Sequence, residues 1–156
     1  MTDRLTIVED DLSCEAVRAL LKLHLEGMRA ASPPGTSFAL DISGLKAPGV
    51  TVWSAWRGNS LCGIGALKQL DARSGEVKSM RTHPDHLRSG VAAALLEHII
   101  SQARSRGITK LSLETGDGPE FEAALTLYRK RGFVKGEPFA DYSPSDFNRF
   151  FHLQLS

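Results

Sequence analysis

At 156 residues the chain is long enough for one hydrophobic core and short for two, so residues 1–156 read as a single domain. A composition of 42% hydrophobic and 24% charged residues is that of a folded globular protein and excludes disorder as the main state. Nineteen Lys and Arg against eighteen Asp and Glu leave a formal charge of +1. Nothing in that balance draws the chain to a polyanion, so no nucleic acid and no membrane are expected as partners. Two scattered cysteines, Cys14 and Cys62, supply neither a disulfide framework nor a metal pair. Met1-Thr2-Asp3-Arg4 has no leader pattern, and the apolar run Val91 to Leu96 is far below the ~20 residues of a membrane span. A cytoplasmic protein, monomer or homodimer, is expected.

Leu5-Thr6-Ile7-Val8 reads as an opening strand. Asp10, Asp11 and Ser13 then offer helix caps ahead of Val17, Leu20, Leu21, Leu25 and Met28, whose spacing predicts a helix ending near Ala30. Pro33, Pro34 and Gly35 make the next segment a loop, with a short helix around Ile42–Leu45 before Pro48-Gly49. Three strands follow as an antiparallel meander: Val50–Trp56, Leu61–Leu70 and Glu76–Thr82. Gly90–Arg106 is a helix by its apolar spacing, closed by Gly107. Ile108–Glu114 is a strand, Glu120–Arg131 a helix stopped by Gly132, and Phe133-Val134 and Arg149–Leu155 are the closing strands. The fold class is α/β, a mixed, mainly antiparallel central sheet with helices on both faces.

Chemistry concentrates where the third meander strand runs through Arg88-Ser89-Gly90 into a helix whose first turn holds Val91, Ala92, Ala93 and Ala94. Little side-chain bulk covers the unpaired N–H groups there, and the positive end of the helix dipole suits a pyrophosphate. Packing of small residues against the sheet explains the same composition equally well. His83 and His86 are spaced as metal ligands can be, but no third ligand stands near, so no metal is expected.

Leu87-Arg88-Ser89-Gly90-Val91-Ala92 resembles the pyrophosphate loop of the GNAT N-acetyltransferases, Gln/Arg-x-x-Gly-x-Gly/Ala, with Leu87 at the Gln/Arg position and Arg88 beside it. Ala124-Leu125-Thr126-Leu127-Tyr128-Arg129-Lys130-Arg131-Gly132-Phe133 is similar to the family's Ala-x-x-x-Tyr-x-x-x-Gly-Phe signature, with Phe121 where Asn is usual. Both motifs stand in the family's order and spacing, and the wording around Gly75–Thr82 and Leu113–Gly116 resembles a bacterial subgroup of it.

The resemblance implies an acetyl-CoA-dependent N-acetyltransferase that passes acetyl to a primary amine of a small molecule or peptide by direct attack. The implied acetyl-CoA contacts are the backbone of Met80, Arg81 and Thr82, the N–H groups of Arg88, Ser89, Gly90, Val91, Ala92 and Ala93, and Thr115, Phe121 and Ala124. Tyr128 takes the place of the family's proton donor. Glu76 is the candidate base, fourteen positions before Gly90 and expected on one strand face with Lys78 and Met80; Glu114 is its substitute. His24, Met28, Ser32 and Phe38, on and after the first helix, are the candidate acceptor contacts. The alternative is a CoA-binding sensor or regulatory module that keeps the fold and little catalysis. Residues 78–110 carry six Lys and Arg against two Asp and Glu, so the basic excess lies in the segment assigned to CoA phosphates.

Overall fold

The computed structural model describes residues 4–33, 42–140 and 142–155. One seven-stranded sheet runs β1-β2-β3-β4-β5-β7-β6, with β1 Leu5–Asp10, β2 Val50–Arg57, β3 Ser60–Gln69, β4 Ser74–Thr82, β5 Lys110–Thr115, β6 Val134–Lys135 and β7 Arg149–Gln154. Every neighbouring pair is antiparallel except β4 and β5. The helices are α1 Glu15–Ala31, α2 Ile42–Leu45, α3 Val91–Ser105 and α4 Glu122–Arg131. The mixed, mainly antiparallel sheet expected from the sequence is the one observed.

Two cores divide the sheet faces. Val17, Leu20 and Leu21 of α1 and Leu45 of α2 bury against Val52, Leu61, Ile64 and Ala66. On the other face Leu95, Leu96, Ile99 and Ile100 of α3 and Leu125 and Tyr128 of α4 meet Leu67, Val77, Leu111 and Phe151. Strand alternation produces this split, since successive side chains of β3 point to opposite faces. Gly63 lets α3 press onto the sheet: a Cβ there would stand 2.8 Å from Val91 Cγ1 and 3.0 Å from the Arg81 carbonyl oxygen.

The entry into α1 differs from expectation. The N-cap is Cys14, without a side-chain cap bond. Asp10 instead accepts from the Leu12 N–H at 2.8 Å and Asp11 from the Ser13 N–H at 3.0 Å, so the acidic pair shapes the turn before the helix rather than its first turn. The helix preceding Gly132 starts at Glu122, not Glu120, because a 3-10 turn over Pro119–Phe121 precedes it.

Candidate active site

The pairing of β4 with β5 covers three residue pairs, Ser74 with Lys110, Gly75 with Leu111 and Glu76 with Ser112. Beyond Glu76 the strands part, although β4 runs on to Thr82 and β5 to Thr115. The cleft that opens is lined by Glu76, Lys78, Ser79 and Met80 of β4, Glu114 and Thr115 of β5, His24 and Met28 of α1, and Phe121, Ala124 and Tyr128 at α4. Of the residues the sequence nominated, Glu76, Met80, Glu114, Thr115, His24, Met28, Phe121, Ala124 and Tyr128 come together here, whereas Arg81 and Thr82 continue β4 beyond this lining and Ser32, the C-cap of α1, is also outside it. Phe38 lies outside the described residues.

A bulge shapes the β4 wall. Ile64 faces Arg81 and Ala66 faces Lys78, so Gly65 alone stands opposite Ser79 and Met80. Ser79 takes φ +56°, and its Oγ is buried without a partner. The expectation that Met80 shares a face with Glu76 and Lys78 is thereby corrected. Its sulfur lies on the α3 side, 2.6 Å from where a Gly65 Cβ would be, while Arg81 crosses to α1 beside Gly27.

At the far end of β4 the chain enters α3 through a tight loop. Arg88 has φ +61° and Gly90, the N-cap, φ +83°, with no side chain capping the helix. Arg57 braces the loop, donating to Ser89 Oγ at 3.1 Å and to the Ser89 carbonyl at 3.0 Å. The first intrahelical bond runs from the Ala94 N–H to the Gly90 carbonyl, which leaves the N–H groups of Val91, Ala92 and Ala93 without intrahelical partners. Val91 itself is buried, so its contribution to this anion-ready turn is its backbone.

Two carboxylates stand in the cleft in different surroundings. Glu76 is buried and accepts from Lys78 Nζ at 3.1 Å and from the Tyr142 hydroxyl at 2.5 Å, while Lys78 Nζ also donates to the Tyr142 oxygen at 2.8 Å. Burial, with the Glu76 charge beside it, raises the Tyr142 hydroxyl well above its ordinary range. Glu114 accepts from Asn148 Nδ2. Burial raises its pKa above 4.5, and Glu76 adds to the rise while Asn148 and Lys78 oppose it. Tyr128 is buried, which raises its hydroxyl and keeps it protonated, and its ring packs edge-on against Phe133 at 5.6 Å.

Tyr142 and Asn148 are site residues that sequence reasoning missed. They lie in the connection between β6 and β7, where no periodicity or motif marks a side chain that folds back onto β4 and β5. Gly116 is the one local signal: a Cβ there would come within 2.3 Å of Phe147 and 2.6 Å of Phe121, so the glycine lets this connection close on the cleft.

The bare helix N-terminus after Gly90 and the tyrosine ahead of Gly132-Phe133 belong to the two sequence motifs, and both stand with the parted β4–β5 pair. The model of the acetyltransferase (GNAT) family matches residues 17–133. The chain belongs to the GNAT acetyltransferase family. Over 150 residues it is 51% identical to the uncharacterized N-acetyltransferase YedL of Escherichia coli K12, covering 96% of this chain and 94% of that one. It is 52% identical over 133 residues to the uncharacterized N-acetyltransferase YsnE of Bacillus subtilis 168, covering 85% and 88%. A Bacillus subtilis acetyltransferase solved in complex with CoA shares the fold at a TM-score of 0.74 and 19% identity, covering 98% of this chain and 100% of that one. The GNAT assignment makes this chain an acyltransferase, and among the described residues no helix is long and apolar enough to cross a membrane.

Proposed function

We propose that this GNAT protein transfers acetyl from acetyl-CoA to a primary amine by direct attack. The observation that carries the reading is the cleft itself, where the β4 segment beyond its pairing with β5, Tyr128 and Glu114 line one opening. The backbone of Met80, Arg81 and Thr82 would hold the pantetheine amides as a neighbouring strand would, with the bare N–H groups after Gly90 on the pyrophosphate. Thr115, Phe121 and Ala124 wall the same channel. The orphaned Ser79 Oγ inside the cleft suits a polar ligand group, since a buried hydroxyl without a partner is costly.

Acetyl-CoA supplies the activated thioester; the chain supplies proton handling. The acceptor amine, with an ordinary pKa near 10.4, arrives as ammonium and must lose a proton before its nitrogen forms a bond to the carbonyl carbon. Glu114 suits that base role better than Glu76. Glu76 is already held by two donors, whereas the environment pushes Glu114 upward and toward the range of a working base. As the carbon–sulfur bond breaks, Tyr128 gives its proton to the CoA sulfur. A backbone N–H of β4 would meet the charge that grows on the carbonyl oxygen.

The test is direct. Protein is mixed with acetyl-CoA and a broad amine panel, and thiol release is followed above the rate of hydrolysis. Acetylated product identified by mass spectrometry supports the proposal. Saturable acetyl-CoA binding with no product from any amine would leave a CoA-binding module instead.

A further inference from the structure

Two cations of β4 stand at or beside the cleft, Lys78 in its lining and Arg81 against α1, and one of them lacks a partner. Lys78 is paired with Glu76. The Arg81 side chain has neither an ion pair nor a hydrogen bond among the described residues. Its guanidinium lies against α1, both terminal nitrogens 3.3 Å from where a Cβ of Gly27 would stand. Glycine is a poor helix former, and at this position its missing side chain leaves room for the cation. One turn earlier, His24 lines the cleft with only 6% of its surface exposed and its Nδ1 unpartnered. Burial, reinforced by the charge on Arg81, holds its pKa down to about 4, so it faces the cleft as a neutral ring.

A forked cation without a counter-ion and a buried neutral imidazole without a partner together describe one kind of occupant. We infer that the acceptor bears a carboxylate beside its amine, with the carboxylate on the Arg81 guanidinium and His24 hydrogen-bonding the same end of the molecule. Guanidinium and carboxylate match in shape and form two parallel bonds, which fixes orientation as well as affinity. The substrate class is a small amino carboxylate rather than a simple alkylamine. This rests on the acetyl transfer proposed above.

The experiment compares kcat/KM for the twenty protein L-α-amino acids, β-alanine and γ-aminobutyrate with the values for their amides and decarboxylated amines, using acetyl-CoA as donor. At least one amino carboxylate should exceed its amide by about tenfold or more, as the loss of a charge-assisted bond requires. Arg81→Met should bring that ratio close to one, and Arg81→Lys should restore part of it. Acetylation of amides and amines as readily as of the parent acids would overturn this inference and leave the acetyl-transfer reading standing. An unchanged ratio in Arg81→Met with a raised KM for acetyl-CoA would also overturn it, assigning the guanidinium to the donor phosphates. Binding of acetyl-CoA with no acceptor turned over would end both.

Discussion

Lys78 Nζ stands 3.1 Å from a Glu76 carboxylate oxygen, with both side chains less than a tenth exposed, and the pair is roofed by Tyr142 from the far end of the chain. Removing one partner strands a buried charge. Glu76→Gln is expected to lower the free energy of unfolding by about 3–5 kcal/mol, and Glu76→Gln with Lys78→Met to recover much of that loss. Denaturant melts of the two single variants and the double variant form the cycle. A single-variant loss no larger than that of a surface pair, about 1 kcal/mol or less, would mean that water already reaches the ammonium.

Tyr128→Phe keeps the ring and its packing on Phe133 while removing the hydroxyl proposed as proton donor. Turnover should fall by about a hundredfold or more, the usual worth of a positioned acid, with acetyl-CoA affinity nearly unchanged. Steady-state rates and calorimetric titration with acetyl-CoA separate the two effects. Wild-type turnover in the variant would remove Tyr128 from the chemistry.

Glu114 must be ionised to act as a base, so the rate should rise with pH through a value above 4.5. Glu114→Gln should flatten that limb. The sign for stability runs the other way, because a carboxyl raised in the fold costs stability as pH climbs from its unfolded value through its native one. The glutamine variant should therefore be no less stable than the parent at neutral pH. A rate profile that keeps its rising limb in the variant shifts the base role to Glu76 or water.

His24 has a folded-state pKa of about 4 against 6.5 when unhindered. Below about 6.5 the unfolded chain takes up a proton that the fold refuses until about 4, so this contribution is complete above that window and is lost as pH falls through it. The amount is on the order of 3 kcal/mol. His24→Leu should show a shallower loss of melting temperature between those two pH values than the parent. Equal slopes would show that His24 titrates freely in the folded protein.

A methyl at Gly63 has nowhere to go, with Val91 Cγ1 and the Arg81 carbonyl at 2.8 and 3.0 Å. Gly63→Ala is expected to cost about 1–3 kcal/mol through overpacking. It should also weaken acetyl-CoA binding, because Val91 opens the helix whose first turn is the proposed phosphate site. Thermal melts and a titration with acetyl-CoA measure both. Unaltered stability would mean that α3 can ride outward without strain.

The regular parts were legible in the sequence because each depends on neighbours. The β-branched and aromatic residues of Val50–Trp56 mark a strand, the spacing of Leu95, Leu96, Ile99 and Ile100 marks the buried face of α3, and Gly90 and Gly132 mark helix ends where φ is positive. What escaped depends on a partner strand or on a loop. The extra residue at Ser79 and Met80 appears only when β3 is laid alongside, and it moves Met80 to the opposite face from Glu76. Tyr142 sits 66 positions from the carboxylate it binds, a distance over which local pattern carries no information. The same holds for Asp10, whose carboxylate turned out to serve Leu12 and Ser54 rather than a helix cap.

Parting β4 from β5 after Glu76 gives the sheet two unpaired strand margins in its interior. On an outer border such margins invite another chain to dock and start an aggregate. Here α1 stands over them on one side, through His24 and Met28, and α4 on the other, through Ala124 and Tyr128. The hydrogen-bonding capacity of β4 is thus open to a slender molecule threading the slot and screened from a whole polypeptide edge.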